Sequence, residues 1–579
     1  MSSDAGMSVP EGFKLYTENN SHILLSSNEA FLNPVQEFNR DLSVACINVW
    51  SEELNKGMEA RWRKGQERKA ARAKESDGGE PAQKRQKVQN ESHSTNETVP
   101  ENTKEPGVAE GVVTSAEEQT QSHRPSYSPH RGVILEALSA TGLRSIRYAK
   151  EIPLVKYVIA NDLSSAATAA MKRNIEFNGL SPETPSAAAD EAKKSKSYGK
   201  IRVNEGDACT LMYNHRLERD RVDVVDLDPY GTAAPFIDAA VQCVKDGGLL
   251  CVTCTDLSVL ATNNYPEKCL SNYGGVPVKA EYCHEAALRL VLHTVSTSAS
   301  RYGRYIEPLL SLSIDFYVRL FIRVNTSPIQ VKRALTKTST YYICTSCQSF
   351  YEQPLGRVVE KKNESSGNVN YIFKTQPGPT VEGKCPECDS VLHVAGPMWS
   401  GNLHDTEFVT KVLEHAESKA SQYGTAARMK GMLTVAKEEL HAPFYFTPSR
   451  VASFFHCQTP SLDDTASALL HAGHKVSRSH ACAGSLKTTA TRAELHDIYR
   501  SWVKKHPINT KNVSERSPAH RLLAKEPKSE ANFKHHPASV TASANVKLVR
   551  YQETPKGWGP GTRAVAGTNN SGKRKRNDE

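Results

Sequence analysis

The chain reads as an α/β protein: a parallel, doubly wound sheet followed by a second domain of helices and short strands. Three observations predict this. Between residues 132 and 256, short apolar runs alternate with helix-like stretches, and strands separated by helical connections form parallel sheets. Acidic residues stand where several of those apolar runs end. Two CxxC pairs lie beyond residue 340, where the pattern changes.

The elements follow in order. Residues 12–50 contain FLNPVQEFNRDLSVACINVW, which ends in an apolar helix-like run. Residues 71–130 contain no Leu, Ile, Phe, Met or Trp. Such a segment cannot bury enough apolar surface to offset its ordering entropy, so an insertion without structure is expected over about 55–130. A smaller one covers about 181–199. GVILEAL (132–138) reads as a buried strand, with a helix beginning near Thr141. YVIAND (157–162) is a second strand, with a helix through Met171 and Ile175. IRVNEGDA is a third. VDVVDLDPYG is a fourth, followed by a helix near 232–244, and GGLLCVTCTD is a fifth. After a helix near 279–298, FYVRLFIRV alternates with period two, as an edge or hairpin strand does. The first domain thus spans 12–330, the second 335–505. A largely unstructured basic tail is expected over 506–579.

The formal net charge of +9 over 579 residues suits a polyanionic partner without identifying one. No stretch approaches the ~20 apolar residues of a membrane span, and MSSDAGMSVPEGF has no secretory pattern. Cysteines in such a chain are expected to be reduced, which favours metal binding over disulfides.

The first strand runs into Ser139, Ala140, Thr141 and Gly142. Small residues there let the backbone approach a nucleotide, although a single glycine is not the dinucleotide fingerprint and an ordinary tight turn would look the same. Asp162 ends the second strand about twenty residues on, where a carboxylate can accept both hydroxyls of a ribose. Asp207 follows the third strand, where it could accept from an adenine amino group. Each aspartate alone could be a helix cap. Together, at the carboxyl edge of the sheet, they fit a nucleoside. With no P-loop in sight, S-adenosyl-L-methionine fits as the cofactor, having ribose and adenine but no phosphates.

The fourth strand ends in Asp228-Pro229-Tyr230-Gly231. The exocyclic amine of a base is a poor nucleophile because its lone pair is delocalised into the ring. A carboxylate and a fixed carbonyl can both accept from its N–H groups and aim that lone pair at a methyl sulfonium. Asp228 supplies the carboxylate, Pro229 the constrained carbonyl, and Tyr230 a face for an extruded base. Displacement at the methyl then needs mainly alignment.

The chain resembles the tRNA (guanine(26)-N(2))-dimethyltransferase family. The likeness is carried by FLNPVQEFNRDLS (31–43), LEALSATGLRSIRYAKE (135–151), DVVDLDPYG, WSGNLHD (399–405), APFYF (442–446) and RYQETPKGWGPG (550–561). It implies an enzyme that dimethylates the exocyclic N2 amine of guanine 26 in tRNA. It also implies a Rossmann-like class I methyltransferase domain joined to a C-terminal α+β domain that assists tRNA binding. By the same resemblance, Arg40 and Arg144 contact the cofactor's carboxylate, Asp162, Asp207 and Ala208 its ribose and adenine, and Asp228 is the catalytic carboxylate. Two rivals stay open: a methyltransferase for another exocyclic amine, such as rRNA guanine N2 or adenine N6, and a non-catalytic RNA-binding protein.

Cys344-x2-Cys347 and Cys385-x2-Cys388 can each clasp one side of a tetrahedral ion, and four thiolates saturate Zn²⁺ in a structural, zinc-ribbon-like site. Residues 348–384 separate the pairs by more than the usual ~15–20; KKNESSGNVN looks like a loop insertion there, and loop closure grows costlier only slowly with length. The alternative is four ordinary reduced thiols. Residues 447–490 suggest a winged-helix-like module in which His474, Lys475, Arg478, His480 and Lys487 could face phosphates or simply form a solvated face. KRKR (573–576) and KRQK (84–87) read as nuclear import patches. The family it resembles also has mitochondrial members.

Overall fold

The computed structural model describes residues 8–26, 32–77, 126–181, 199–365, 367–541, 543 and 546. The chain divides into two compact units, Met1–Glu53 with Arg131–Glu579, and Leu54–His130. KRQK (84–87), KRKR (573–576), residues 182–198 of the smaller insertion and RYQETPKGWGPG lie outside the described residues.

The larger unit opens with an antiparallel hairpin, β1 (Phe13–Glu18) and β2 (Ser21–Ser26). The NPVQ signature then starts a helix: the Asn33 side chain accepts from the Val35 N–H, and Pro34 occupies the first turn. Helix α1 (Glu37–Asp77) follows. Next come β3 (Gly132–Glu136), α2 (Leu143–Glu151), β4 (Val155–Asp162), α3 (Ser165–Phe177), β5 (Ile201–Glu205), α4 (Ala208–Asn214), β6 (Val222–Leu227), α5 (Ala234–Cys243) and β7 (Val244–Cys254). The chain continues with α6 (Leu257–Leu260), α7 (Pro266–Tyr273), α8 (Cys283–Ser300), β8 (Arg304–Ile314) and β9 (Tyr317–Thr326).

Seven of these strands form one sheet in the order β5-β4-β3-β6-β7-β9-β8. The first five are parallel; β9 runs antiparallel to β7 and pairs with β8 as a hairpin. The five predicted parallel strands are present. The period-two strand is β9, a hairpin strand, and β8 beyond it is an edge of the sheet. Leu135, Val225, Leu250, Val252, Leu320 and Ile322 belong to an apolar core shared with α5 and α8. Alternate residues on the other face, Asp226 and Arg319, are also buried, as an ion pair at 2.7 Å beneath α1. The polar positions of the β9 alternation therefore do not all face water.

The second half begins with α9 (Pro328–Arg333), β10 (Thr338–Cys344), β11 (Phe350–Pro354), β12 (Gly356–Lys362), β13 (Val369–Thr375) and β14 (Leu392–Trp399). Strands β11-β10-β14 form one antiparallel sheet and β12–β13 a separate ribbon. The expected loop insertion between the CxxC pairs is thus a regular hairpin. Then come α10 (Thr406–Ser418), α11 (Ala426–Glu438), α12 (Pro448–Phe454), α13 (Leu462–His471), β15 (Val476–Arg478), β16 (Leu486–Thr488), α14 (Arg492–Lys505) and α15 (Pro518–Leu523). Tyr341, Met398, Trp399, Phe444 and Tyr445 join the same apolar core as the large sheet. The expected boundary near 335 is therefore a change of pattern along the chain, not a break in the core.

Two expectations of missing structure are corrected at their edges. Helix α1 continues through the start of the 55–130 segment to Asp77, because Glu, Lys, Arg, Ala and Gln form a helix without needing a core, here with a Glu59–Arg63 pair at 2.6 Å. In the smaller unit, Asn55 accepts from the His130 N–H at 2.7 Å and the Tyr127 hydroxyl at 3.0 Å, and Trp62 meets the Tyr127 ring at 6.0 Å. The tail after 505 is described to residue 541 and includes α15. Ala519 and Leu522 are buried, and Phe533 packs on Trp502 at 5.0 Å. A few apolar side chains dock this segment despite its polar average.

Candidate active site

Strands β3, β4 and β6 end side by side at the carboxyl edge of the parallel sheet, where open α/β folds bind ligands. A cleft of about 270 Å³ opens there, lined among others by Asn33, Arg40, Glu136, Ala140, Arg144, Asp162, Asp228, Pro229 and Tyr230. The β3–α2 turn forms its floor. Gly142 has φ +78°, and a Cβ there would lie 2.8 Å from Met171 Cγ on α3. Glycine is thus required both by its backbone angle and by the close approach of that helix.

Asp228 follows β6 directly. Its Oδ2 pairs with the Arg144 guanidinium, while Oδ1 is buried with no hydrogen-bond partner. Pro229 is buried, and Tyr230 stands 77% exposed at the rim. Gly231 is pinned on β7's end: its N–H donates to Thr255 Oγ1 at 2.8 Å and its carbonyl accepts from the Thr255 N–H at 2.8 Å. The Asp-Pro-Tyr segment is therefore held at both ends, with one Asp228 oxygen unpartnered and the Tyr230 ring at the rim of the cleft.

Arg144 sits among Asp228, Ser43 Oγ (3.1 Å), Asp226 (3.6 Å) and Glu136 (3.7 Å). Burial alone would weaken its hold on the proton, but the Asp228 and Asp226 carboxylates keep it charged, well above the ordinary arginine value. Arg40 is engaged by Glu18, with Nε to Oε2 at 2.8 Å, and donates to the Asn33 carbonyl at 3.2 Å. Burial pushes the Glu18 carboxyl up, yet Arg40 and then Arg147 bring it below the usual carboxylate range. Asp162 accepts from the Ala140 N–H and the Ser164 N–H, both at 2.9 Å. Asp207 caps α4, accepting from the Thr210 N–H at 2.7 Å, a bond that lowers its pKa. Asp207 and Ala208 do not line the cleft; they stand two strands away, after β5.

Sequence reasoning missed the groups that support these residues. Glu136 lines the cleft, bonded by the Ser145 hydroxyl. Asp226 lies two residues before Asp228, and that spacing was a readable signal of a shared strand face. Arg319 bridges Asp226, Thr253 (3.0 Å) and Ser43 (2.8 Å). Nothing in the local sequence marks Glu18.

The four predicted cysteines come together. Cys344–Cys388, Cys347–Cys388 and Cys347–Cys385 are separated by 3.3, 3.5 and 3.7 Å between sulfurs, and all four are buried. Bonds of ~2.3 Å to a tetrahedral ion would place sulfurs roughly 3.8 Å apart, so the cluster fits Zn²⁺ with little adjustment.

A second buried cluster joins His404, Glu439 and His480. His404 Nδ1 accepts from the Ser311 N–H at 3.3 Å and His480 Nε2 from the Ser313 N–H at 3.1 Å. Those bonds put each ring's proton on the nitrogen facing Glu439, and a protonated nitrogen is no metal ligand. Lys487 adds a cation 3.2 Å from Glu439. This is an ionic joint between β8 and the C-terminal half. It corrects the expectation that His480 and Lys487 could face phosphates, since both are buried. Of that group, Lys475 is exposed and His474 and Arg478 are half-buried.

Comparison with known proteins adds independent weight. A family model described as N2,N2-dimethylguanosine tRNA methyltransferase matches residues 12–500. The tRNA (guanine(26)-N(2))-dimethyltransferase of Schizosaccharomyces pombe is 40% identical over 98% of this chain and 95% of its own length. That of Drosophila melanogaster is 41% identical over 95% and 86%, and the mitochondrial one of Saccharomyces cerevisiae 39% over 96% and 92%. The structure of Trm1 from Pyrococcus horikoshii with S-adenosyl-L-methionine shares the fold, with a TM-score of 0.56 at 23% identity over 82% of this chain and 97% of that one. The chain belongs to the N2,N2-dimethylguanosine tRNA methyltransferase family.

Proposed function

We propose that this protein dimethylates the exocyclic N2 amine of guanine 26 in tRNA, using S-adenosyl-L-methionine. The observation that carries the reading is Asp228: a carboxylate at the end of a central strand, with one oxygen buried and unpartnered beside a cleft walled by Tyr230 and Arg144. An orphaned buried acceptor costs about 1–3 kcal/mol, so it marks a place where a donor belongs. When bound, S-adenosyl-L-methionine supplies an electrophilic methyl group on a sulfonium.

The residues of this chain do the rest. Arg144 and Arg40 offer cations to the cofactor's carboxylate at one side of the cleft. Asp162 stands at the end of β4 to accept the ribose hydroxyls. Asp207, with Ala208, lies two strands from β3, roughly 10 Å at ~4.8 Å per strand, which is the distance an adenine ring needs beyond the ribose. Asp228 Oδ1 and the Pro229 carbonyl accept the two N–H groups of the target amine. Tyr230 stacks on the extruded base. Asp228 need not be strongly basic, because the reaction is governed by alignment.

Incubating the protein with labelled cofactor and unmodified tRNA, then mapping the labelled nucleoside, tests this. The expected product is N2,N2-dimethylguanosine at position 26. Label on another base, or none, would sink the reading.

Cys344, Cys347, Cys385 and Cys388 hold one structural Zn²⁺. Metal analysis should find about one ion per chain by the four-ligand rule, and Cys385→Ser should lose it with a fall in thermal stability. A fully folded, metal-free protein would count against the site. The basic runs at 84–87 and 573–576 support nuclear import, which a fluorescent fusion with KRKR replaced by alanines would check by its redistribution.

A further inference from the structure

Ribbon β12–β13 has no part in the site described above. It is an isolated antiparallel pair, a form that is marginal in water without support. It is supported at its base and on the face that carries Tyr371. Gly356 is buried against Leu335, where a Cβ would lie 2.3 Å from Leu335 Cγ, and Arg333 stacks over Tyr371 at 5.2 Å. The turn beyond is closed by Asn363 N–H to the Asn368 carbonyl at 2.8 Å. The rest projects with both faces largely exposed.

The register sorts its side chains. Arg357 opposes Lys374, Val359 opposes Ile372, and Lys361 opposes Asn370. Directly opposed residues share a face and alternate ones switch, so this face carries Arg357, Lys361 and Lys374 with no carboxylate. The other carries Val358, Phe373, Glu360, Tyr371, Lys362 and Val369. Opposed like charges destabilise a ribbon, and Arg357 faces Lys374 directly. All three cations are exposed, and none has an ion-pair partner among the described residues. A fold left to itself has no use for that arrangement, but a polyanion lying across the face would neutralise it.

We infer that the Arg357–Lys361–Lys374 face of this ribbon docks on the sugar–phosphate backbone of the RNA substrate, as an arm that positions the tRNA without reading its sequence. The inference rests on the tRNA substrate proposed above. Phosphate contacts fix register and orientation while base contacts specify. A basic two-stranded ribbon with aliphatic Val359 and Ile372 between its cations suits the wide, shallow minor groove of an RNA duplex.

The test uses the full-length protein and an unmodified tRNA transcript, with affinity measured across a salt series. Arg357→Ala/Lys361→Ala/Lys374→Ala should weaken binding at least about tenfold near ~0.1 M salt and flatten the log K against log salt slope by about two to three. Cofactor binding, metal content and thermal stability should be unchanged, and in the methylation assay KM for tRNA should rise with kcat kept. Glu360→Gln/Lys362→Gln, on the opposite face, should leave affinity and slope as they were. Wild-type affinity and slope in the triple variant would overturn the docking, and so would an equal loss from the opposite-face variant. If the unaltered protein fails to bind tRNA, the functional reading falls and the docking with it, a result distinct from failure of the arm alone.

Discussion

Two of the clusters of buried charge in the larger unit are built on different terms. At the carboxyl edge of the sheet, Arg144 and Arg319 stand among Asp226, Asp228 and Glu136. At the joint with the C-terminal half, Glu439 gathers His404, His480 and Lys487, and Lys487 passes on to Glu285 at 3.2 Å. In the second cluster both Glu439 oxygens are filled, although His404 Nε2, 3.7 Å away, has no hydrogen-bond partner. One Glu439 oxygen takes Lys487 and the Ser479 hydroxyl; the other takes the His480 ring and backbone N–H. The first is left open: it borders a cleft, and Asp228 keeps an oxygen with nothing to accept. A buried ion pair is weak evidence of function, because desolvation often cancels its attraction. What distinguishes the cluster at the sheet edge is a carboxylate with an unpartnered oxygen that itself lines the cleft.

That contrast predicts opposite outcomes when each carboxylate is changed. Asp228→Asn should lower methyl transfer by at least about 10²–10³-fold, the usual cost of losing one group that binds the transition state. Cofactor binding, followed by calorimetry, should survive, since Arg144 keeps Asp226 and Glu136 around it and loses only a competitor for a carboxylate. Retained transfer would remove Asp228 from the mechanism. Glu439→Ala should instead cost about 3–5 kcal/mol of stability in denaturant unfolding, because it removes one of the two carboxylates around Lys487 and the acceptor of the His480 ring and backbone N–H groups. Transfer per folded molecule should be unaffected. A loss under about 1 kcal/mol would mean that the joint is not the ionic unit described.

The two clusters also differ in how far the sequence disclosed them. The parallel strands and the positions of Asp162, Asp207 and Asp228 at or just beyond strand ends were legible because periodicity is a local signal. The four cysteines were legible from spacing. The Glu439 joint was not, because His404, Glu439, His480 and Lys487 come from separate segments and meet only through the fold. His480 and Lys487 read as surface cations for the same reason: a polar residue beside a turn carries no mark of a distant partner. The Arg319–Asp226 pair was hidden for a related reason: its residues come from two strands far apart in sequence, on a face that α1 covers with Ser43. The ribbon β12–β13 was hidden by the polar run KKNESSGNVN, which takes in the facing ends of Gly356–Lys362 and Val369–Thr375.

The smallest effect separates the clusters by pH. Burial raises the Glu136 carboxyl to about 8, against the opposing pull of Arg144 and Ser145. Burial also pushes Glu439 up, but His480 and Lys487 overcome it and hold that carboxyl well below the usual range. The signs follow from linkage. Glu136 binds its proton more tightly in the folded chain, so its contribution is full below the unfolded value near ~4.3 and is lost as pH rises toward about 8. Glu439 does the reverse: its contribution is present above that unfolded value and fades as pH falls below it. Glu136→Gln keeps a neutral side chain at every pH. Its melting temperature relative to wild type should therefore climb between about pH 4.5 and 8 and level off above. A constant difference across that window would show that Arg144 already holds Glu136 ionised, and the open cluster would then carry one more fixed negative charge than its neutral Glu136 implies.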